Sequence, residues 1–174
     1  MTKIRKQHPG DVQLVRDESA DPVDRASAMM RLAVDGHWEM IDLADQWLAR
    51  DELELRVEAV GLLVGYWKLE DRIPITIEHL KHDPHTDVRS RAAAALVDFL
   101  NRTGKHRDRI LKVLVHQLQN DTDYLVQRYA YELLLRTLLS ERPIPEPPYA
   151  FDRGRDVDWS LLRPWMDSES DAHE

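Results

Sequence analysis

No cysteine occurs in the 174 residues. Disulfide staples and thiolate metal sites are therefore excluded, apolar packing has to hold the fold, and a reducing compartment is compatible. Glycine is scarce, and Gly104-Lys105-His106 lacks the glycine pattern that cradles a phosphate. No G-x-S-x-G nucleophile elbow is present. Nothing approaches the ~18 consecutive apolar residues of a membrane span, and residues 1–11 are basic and polar with no apolar run behind them. These absences predict a soluble, cytoplasmic, non-enzymatic chain with no cofactor.

A positive charge excess is missing as well. The formal net charge is -8, and it is uneven. Residues 141–174 carry nine acidic and four basic side chains, giving -5, whereas the other 140 residues carry 23 acidic and 20 basic, giving -3. A body so nearly balanced has no field to attract nucleic acid. The acidic tail suits a partner protein with a basic surface; the alternative is that it serves solubility.

What the chain does have is repetition. Arg25-Ala26-Ser27-Ala28, Arg56-Val57-Glu58-Ala59, Arg89-Ser90-Arg91-Ala92 and Gln127-Arg128-Tyr129-Ala130 are each followed, four residues past the alanine, by Leu32, Leu63, Leu96 and Leu134. The alanines are separated by 31, 33 and 38 positions, the length of two short helices with their turns. First helices are predicted over 12–18, 37–49, 74–81 and 107–119, and second helices over 22–34, 52–67, 87–101 and 123–139. In the third repeat Pro74 suits a first helical turn, Asp83-Pro84 makes the stop, and Asp87 is expected to cap the second helix. Val88, Ala92, Ala95, Leu96 and Phe99 then share one buried face. Arg25, Arg56 and Arg89 are read as a ladder of ion pairs with turn carboxylates such as Asp51, Asp83 and Asp87, in preference to a phosphate-binding row.

Asp83-Pro84 followed by Val88-Arg89-(x2)-Ala92-Ala93-(x2)-Leu96, with Val126-Gln127-(x2)-Ala130-(x3)-Leu134 as a looser copy, resembles the short bacterial HEAT-like repeat family, including phycobilin lyase-type chains. The resemblance covers roughly residues 11–140. It implies an all-α fold: a right-handed α-solenoid of about four helical hairpins over residues 1–140, with residues 141–174 forming a Pro-rich linker and an acidic, tryptophan-containing segment docked on the last repeat. Asp24 departs from the pattern at the apolar position of Leu55, Val88 and Val126, as terminal repeats often do.

In such a solenoid the second helices line the concave side. By register Glu58, Arg91 and Tyr129 then stack in a row, joined by Asp98, Glu132 and Arg136. Mixed charge around a tyrosine suits a protein partner; the alternative is an ordinary solvated helix face. Trp38 and Trp47 are nine residues apart and cannot share the centre of one helix face, so one is expected in the core and the other exposed, and Trp67 ends a second helix near the groove's edge. After residue 140, Pro143-Ile144-Pro145-Glu146-Pro147-Pro148 predicts extended chain. Trp159, Leu162 and Trp165 form an i, i+3, i+6 stripe that either caps the last repeat or joins partner binding. His79, His82 and His85 lie near Asp83 and Asp87, yet spacing supplies no third ligand, so no metal site is predicted.

The sequence therefore predicts a non-catalytic protein-binding module. A small, acidic, cysteine-free chain of this kind also resembles immunity proteins that neutralise a secreted toxin. The alternative is an enzyme like the HEAT-like alkylpurine DNA glycosylases, for which Trp67 and Asp98 would have to serve, or like the phycobilin lyases.

Overall fold

A computed structural model describes residues 9–139 and 150–166, which form helices and short connections with no strand among them. The helices are α1 (Pro9–Arg16), α2 (Pro22–Val34), α3 (Ile41–Trp47), α4 (Leu53–Val60), α5 (Ile73–His82), α6 (Thr86–Thr103), α7 (Arg107–Asn120) and α8 (Tyr124–Leu138). Two further single turns, α9 (Arg153–Asp156) and α10 (Trp159–Leu162), follow in the C-terminal segment. No described helix is long and apolar enough to cross a membrane. The predicted proline-rich stretch 143–148 and the acidic end 167–174 lie outside the described residues.

Helix boundaries follow local chemistry. Asp21 accepts from the Val23 amide and Pro22 opens α2, while Asp123 accepts from Leu125 at the start of α8. Gly104, at φ 68°, ends α6 in the left-handed conformation that glycine adopts without a Cβ penalty. Asp87 is not the cap it was expected to be. It lies inside the first turn of α6, whose N-cap is His85, and the carboxylate that organises this turn is Asp83, accepting from the His85 amide at 2.9 Å.

Consecutive helices pack as α1 with α2, α3 with α4, α5 with α6 and α7 with α8, and the second members touch in order from α2 through α4 and α6 to α8. The alanines at 28, 59, 92 and 130 and the leucines at 32, 63, 96 and 134 are all at most 1% exposed, so the repeating register is the packing seam. Asp24, at the position of the buried Leu55, Val88 and Val126, is exposed. Two apolar clusters result. Ala59, Leu62 and Leu63 join Met29, Leu32, Trp47 and Trp67, whereas Val60 and Val64 join the larger cluster of α5 to α8. One helix thus walls both clusters. Trp47 is buried and Trp38 is exposed, the division that their spacing predicts.

The stretch 52–67 is not one uniform α-helix. At Gly61 it widens into a π-helical segment, Gly61–Tyr66, closed by the Trp67 amide donating to the Leu62 carbonyl at 2.8 Å. Gly65 makes the close approach possible, because a Cβ there would lie 3.2 Å from Ala95 Cα on α6.

The arginine ladder exists for Arg56 and Arg89, with Asp83 an expected partner and Asp121 a carboxylate that the sequence reading did not name. Arg56 reaches Asp83 at 3.2 Å and Arg89 grips both oxygens of Asp121 at 2.9 and 3.0 Å. Each also donates back to the turn before its own helix, Arg56 to the carbonyls of Arg50 and Asp51 and Arg89 to those of Asp83 and Pro84. Asp51 therefore contributes a carbonyl rather than its carboxylate. Arg25 does not use Asp51 either: its guanidinium lies 5.5 Å from the centroid of the Trp47 ring and donates to the Val15 carbonyl. Gln127, which stands where the arginine would be, keeps the backward bond to the Asp121 carbonyl at 2.5 Å.

Residues 150–166 dock on α7 and α8. Leu162 is fully buried, Phe151 and Val157 are nearly so, and Phe151 packs against Tyr131 with centroids 6.0 Å apart. The Tyr131 hydroxyl accepts from the Asp158 amide at 3.0 Å, and the Trp165 indole donates to Asp108 at 3.2 Å. The stripe of Trp159, Leu162 and Trp165 thus packs against the larger core cluster, split between α10 and the 3-10 turn Arg163–Trp165.

Candidate functional site

The register row at 27, 58, 91 and 129 runs across α2, α4, α6 and α8, and its chemistry is concentrated on the last three. Tyr129 on α8 is half-buried, and its hydroxyl is pushed up in pKa by burial and then by Glu132 and Asp98, against the pull of Arg136 and Arg91. The five predicted residues Arg91, Asp98, Tyr129, Glu132 and Arg136 therefore share one electrostatic neighbourhood. Glu132 and Arg136 pair at 2.5 Å, one helical turn apart, with Asp98 and Arg136 exposed.

Glu58 joins this neighbourhood through Arg91. Burial holds its carboxyl above the ordinary value of 4.5, and the Arg91 charge opposes the shift without offsetting it. Its Oε1 is buried and has no hydrogen-bond partner. Arg91 lies flat against Gly61, where a Cβ would sit 2.1 to 2.4 Å from the guanidinium. Glycine at 61 thus makes room for the arginine that faces Glu58. At the far end of the π segment, Lys68 has φ 60°, and its Nζ is also buried without a partner. Burial depresses its pKa, Arg102 adds to this, and Asp98 works the other way. Asp98 consequently sits within electrostatic reach of both Lys68 and Tyr129.

The sequence reading missed the part of this face that belongs to α2. A groove of ≈ 570 Å³ opens between α2 and α4. Val23, Ala26 and Met30 line one side, Leu53 and Val57 the other, and Ser27, Glu54, Glu58 and Asp87 supply its polar groups. Val23, Glu54 and Asp87 occupy one register position of successive second helices, and Ala26 and Val57 another. The signal was available in the repeat register, but Asp24 at an apolar position obscured the first copy.

The remaining candidates are placed differently. Of the glycosylase-like pair, Trp67 is 3% exposed and packs on Trp38 with ring centroids 6.5 Å apart, while Asp98 is exposed on α6 in the neighbourhood of Tyr129. His79 bonds Asp83 at 3.1 Å, and exposed His82 faces Glu78 at 3.8 Å. Only the backbone amide of His85 engages Asp83. Among the described residues no group of three or more histidine or carboxylate side chains is placed to hold a metal. Trp159 and Trp165 direct their indoles to the Arg153 carbonyl and to Asp108, which ties the C-terminal stripe to its own docking site. Comparison with protein families, curated proteins and solved structures finds no match to this chain.

Proposed function

We propose that this chain is a non-catalytic protein-binding module, built as a HEAT-like, right-handed α-solenoid of four helical hairpins whose second helices carry the binding face. The observation that supports this reading is the cluster around Tyr129. A half-buried tyrosine is flanked by Arg91, Asp98, Glu132 and Arg136 on packed helices. Tyrosine and arginine anchor protein interfaces out of proportion to their number, and alternating charges favour a protein partner over a phosphate backbone. In this reading Tyr129 and Arg136 are the anchors, and Glu58, Asp98 and Glu132 meet basic groups of the partner. A toxin whose active surface is basic, neutralised by an immunity protein, is the partner class that these acids fit.

The test is capture from native lysate with the full chain as bait, beside the variants Tyr129→Ala and Glu132→Lys. One stoichiometric protein, bound by the wild type and lost from both variants, is the expected result. Co-purified nucleic acid or a small molecule in place of a protein would overturn the reading, as would a partner that ignores both substitutions.

A further inference from the structure

We propose that the groove between α2 and α4 is a receptor for a single arginine side chain presented by a partner protein. The inference rests on the protein-binding reading and names what one part of the face recognises. The groove combines apolar walls with acidic groups. Its walls are apolar, with Val23 54% exposed and Met30 and Val57 partly buried, which suits the methylene stem of a long cationic residue. Apart from Ser27 its polar groups are acidic: Glu54, Glu58 and Asp87 line it, and among the described residues no lysine or arginine does.

Glu58 is the discriminating residue. Its Oε1 is withdrawn from solvent and accepts no hydrogen bond, and Arg91 acts on it only through its charge. Glu58 is only partly buried as a residue and lines the groove with Glu54 and Asp87, so three carboxylates face one crevice. A guanidinium entering along the apolar walls brings a fixed positive charge and several planar N–H donors to the accessible oxygens of these carboxylates. An apolar side chain would neutralise none of this charge, and an acidic one would face like charge, so charge complementarity selects the occupant.

The experiment uses the isotope-labelled full chain, titrated with the peptide acetyl-Ala-Leu-Arg-Leu-Ala-amide and followed by backbone amide chemical shifts. The control peptide carries citrulline, which keeps the shape and removes the charge. Shifts confined to α2 and the first turns of α4, with the citrulline peptide and Glu58→Gln each weakening binding by ~10-fold or more, are expected from the strength of charge-assisted hydrogen bonds. Equal binding of the two peptides, shifts elsewhere on the chain, or no response to Glu58→Gln would overturn the assignment. The two readings fail separately. A captured protein partner lost from Tyr129→Ala but retained by Glu58→Gln overturns the arginine receptor and leaves the wider face standing. Absence of any protein partner, with the arginine peptide still seated between α2 and α4, overturns the wider reading and leaves only the chemical preference of the groove.

Discussion

Replacing Asp121 by asparagine tests the ladder between repeats at its strongest rung. The Asp121 side chain is 2% exposed and that of Arg89 10%, and the carboxylate takes two bonds from the guanidinium at 2.9 and 3.0 Å, another from Gln117, and one from the Asp123 amide at 2.8 Å. Asparagine preserves shape and the turn but removes the charge and turns an NH2 group toward donors. Breaking one partner of a buried ion pair costs about 3–5 kcal/mol, because the remaining charge stays desolvated. For a chain of this size each kcal/mol moves Tm by about 2–4 °C, so the expected fall is roughly 6–20 °C. Urea unfolding followed by circular dichroism supplies the free energy directly. Two comparisons guard the interpretation. Asp83→Asn, whose Arg56 bonds are longer at 3.2 and 3.5 Å, should cost less. The pair Arg89→Met with Asp121→Leu, which removes both charges together, should be less damaging than Asp121→Asn. A loss below about 1 kcal/mol for Asp121→Asn would refute the view that the rung holds successive repeats together.

Gly65→Ala should destabilise by about 1–3 kcal/mol, since its Cβ would press 3.2 Å from Ala95 Cα on a packed backbone; a neutral result in urea unfolding would count against the close approach. Gly61→Ala meets the flexible end of Arg91 instead and gains about 1 kcal/mol of helix propensity, so its unfolding free energy should change little while the Arg91 side-chain resonances move. Leu162→Ala should cost about 2–5 kcal/mol and red-shift tryptophan emission as the C-terminal segment loosens; an unchanged Tm would remove that segment from the folding unit. Glu58→Gln should raise stability near neutral pH, because it removes a charge that burial disfavours and that Arg91 only partly compensates. The sign follows from linkage: with the folded carboxyl above 4.5, the folded state holds the extra proton, so the wild type loses stability as pH rises from that value through the folded pKa. The gap between the two proteins should accordingly close as pH falls toward 4.5, and a variant less stable than wild type at pH 7 would contradict the assignment.

Helix order was legible because the alanine and leucine of each second helix mark its packing seam directly. The same register brought Arg91, Asp98, Tyr129, Glu132 and Arg136 to one face, as an i, i+4 pair and aligned second helices require. Features set by contacts between repeats were harder to read. Arg56 and Arg89 pair with aspartates 27 and 32 positions ahead, a separation fixed by stacking and not by local periodicity. The π segment depends on how closely α6 approaches; its only trace in the sequence is the pair Gly61 and Gly65, four residues apart. Arg25 departs from the ladder because Trp47 supplies a ring where the other rungs find a carboxylate.

Buried polar groups of the ladder are well partnered: Arg56, Arg89, Asp83, Asp121 and Gln127 each have at least one donor or acceptor matched across a turn. That is the ordinary condition of a folded interior. The seam from α4 to α6 is different. Within eleven residues it holds a buried carboxylate oxygen without a donor, a π-helical widening, a lysine at positive φ and that lysine's buried, unpartnered amine. Each opposes folding, and each is on or beside the face that carries Tyr129. Comparable departures occur elsewhere, at the unpartnered indole N–H groups of Trp47 and Trp67 and the positive φ of His106, so those on the seam are distinguished by their place beside Tyr129 and not by their kind. Under the proposal of a protein-binding face, Glu58 and Lys68 are the seam groups whose charge a partner would complete.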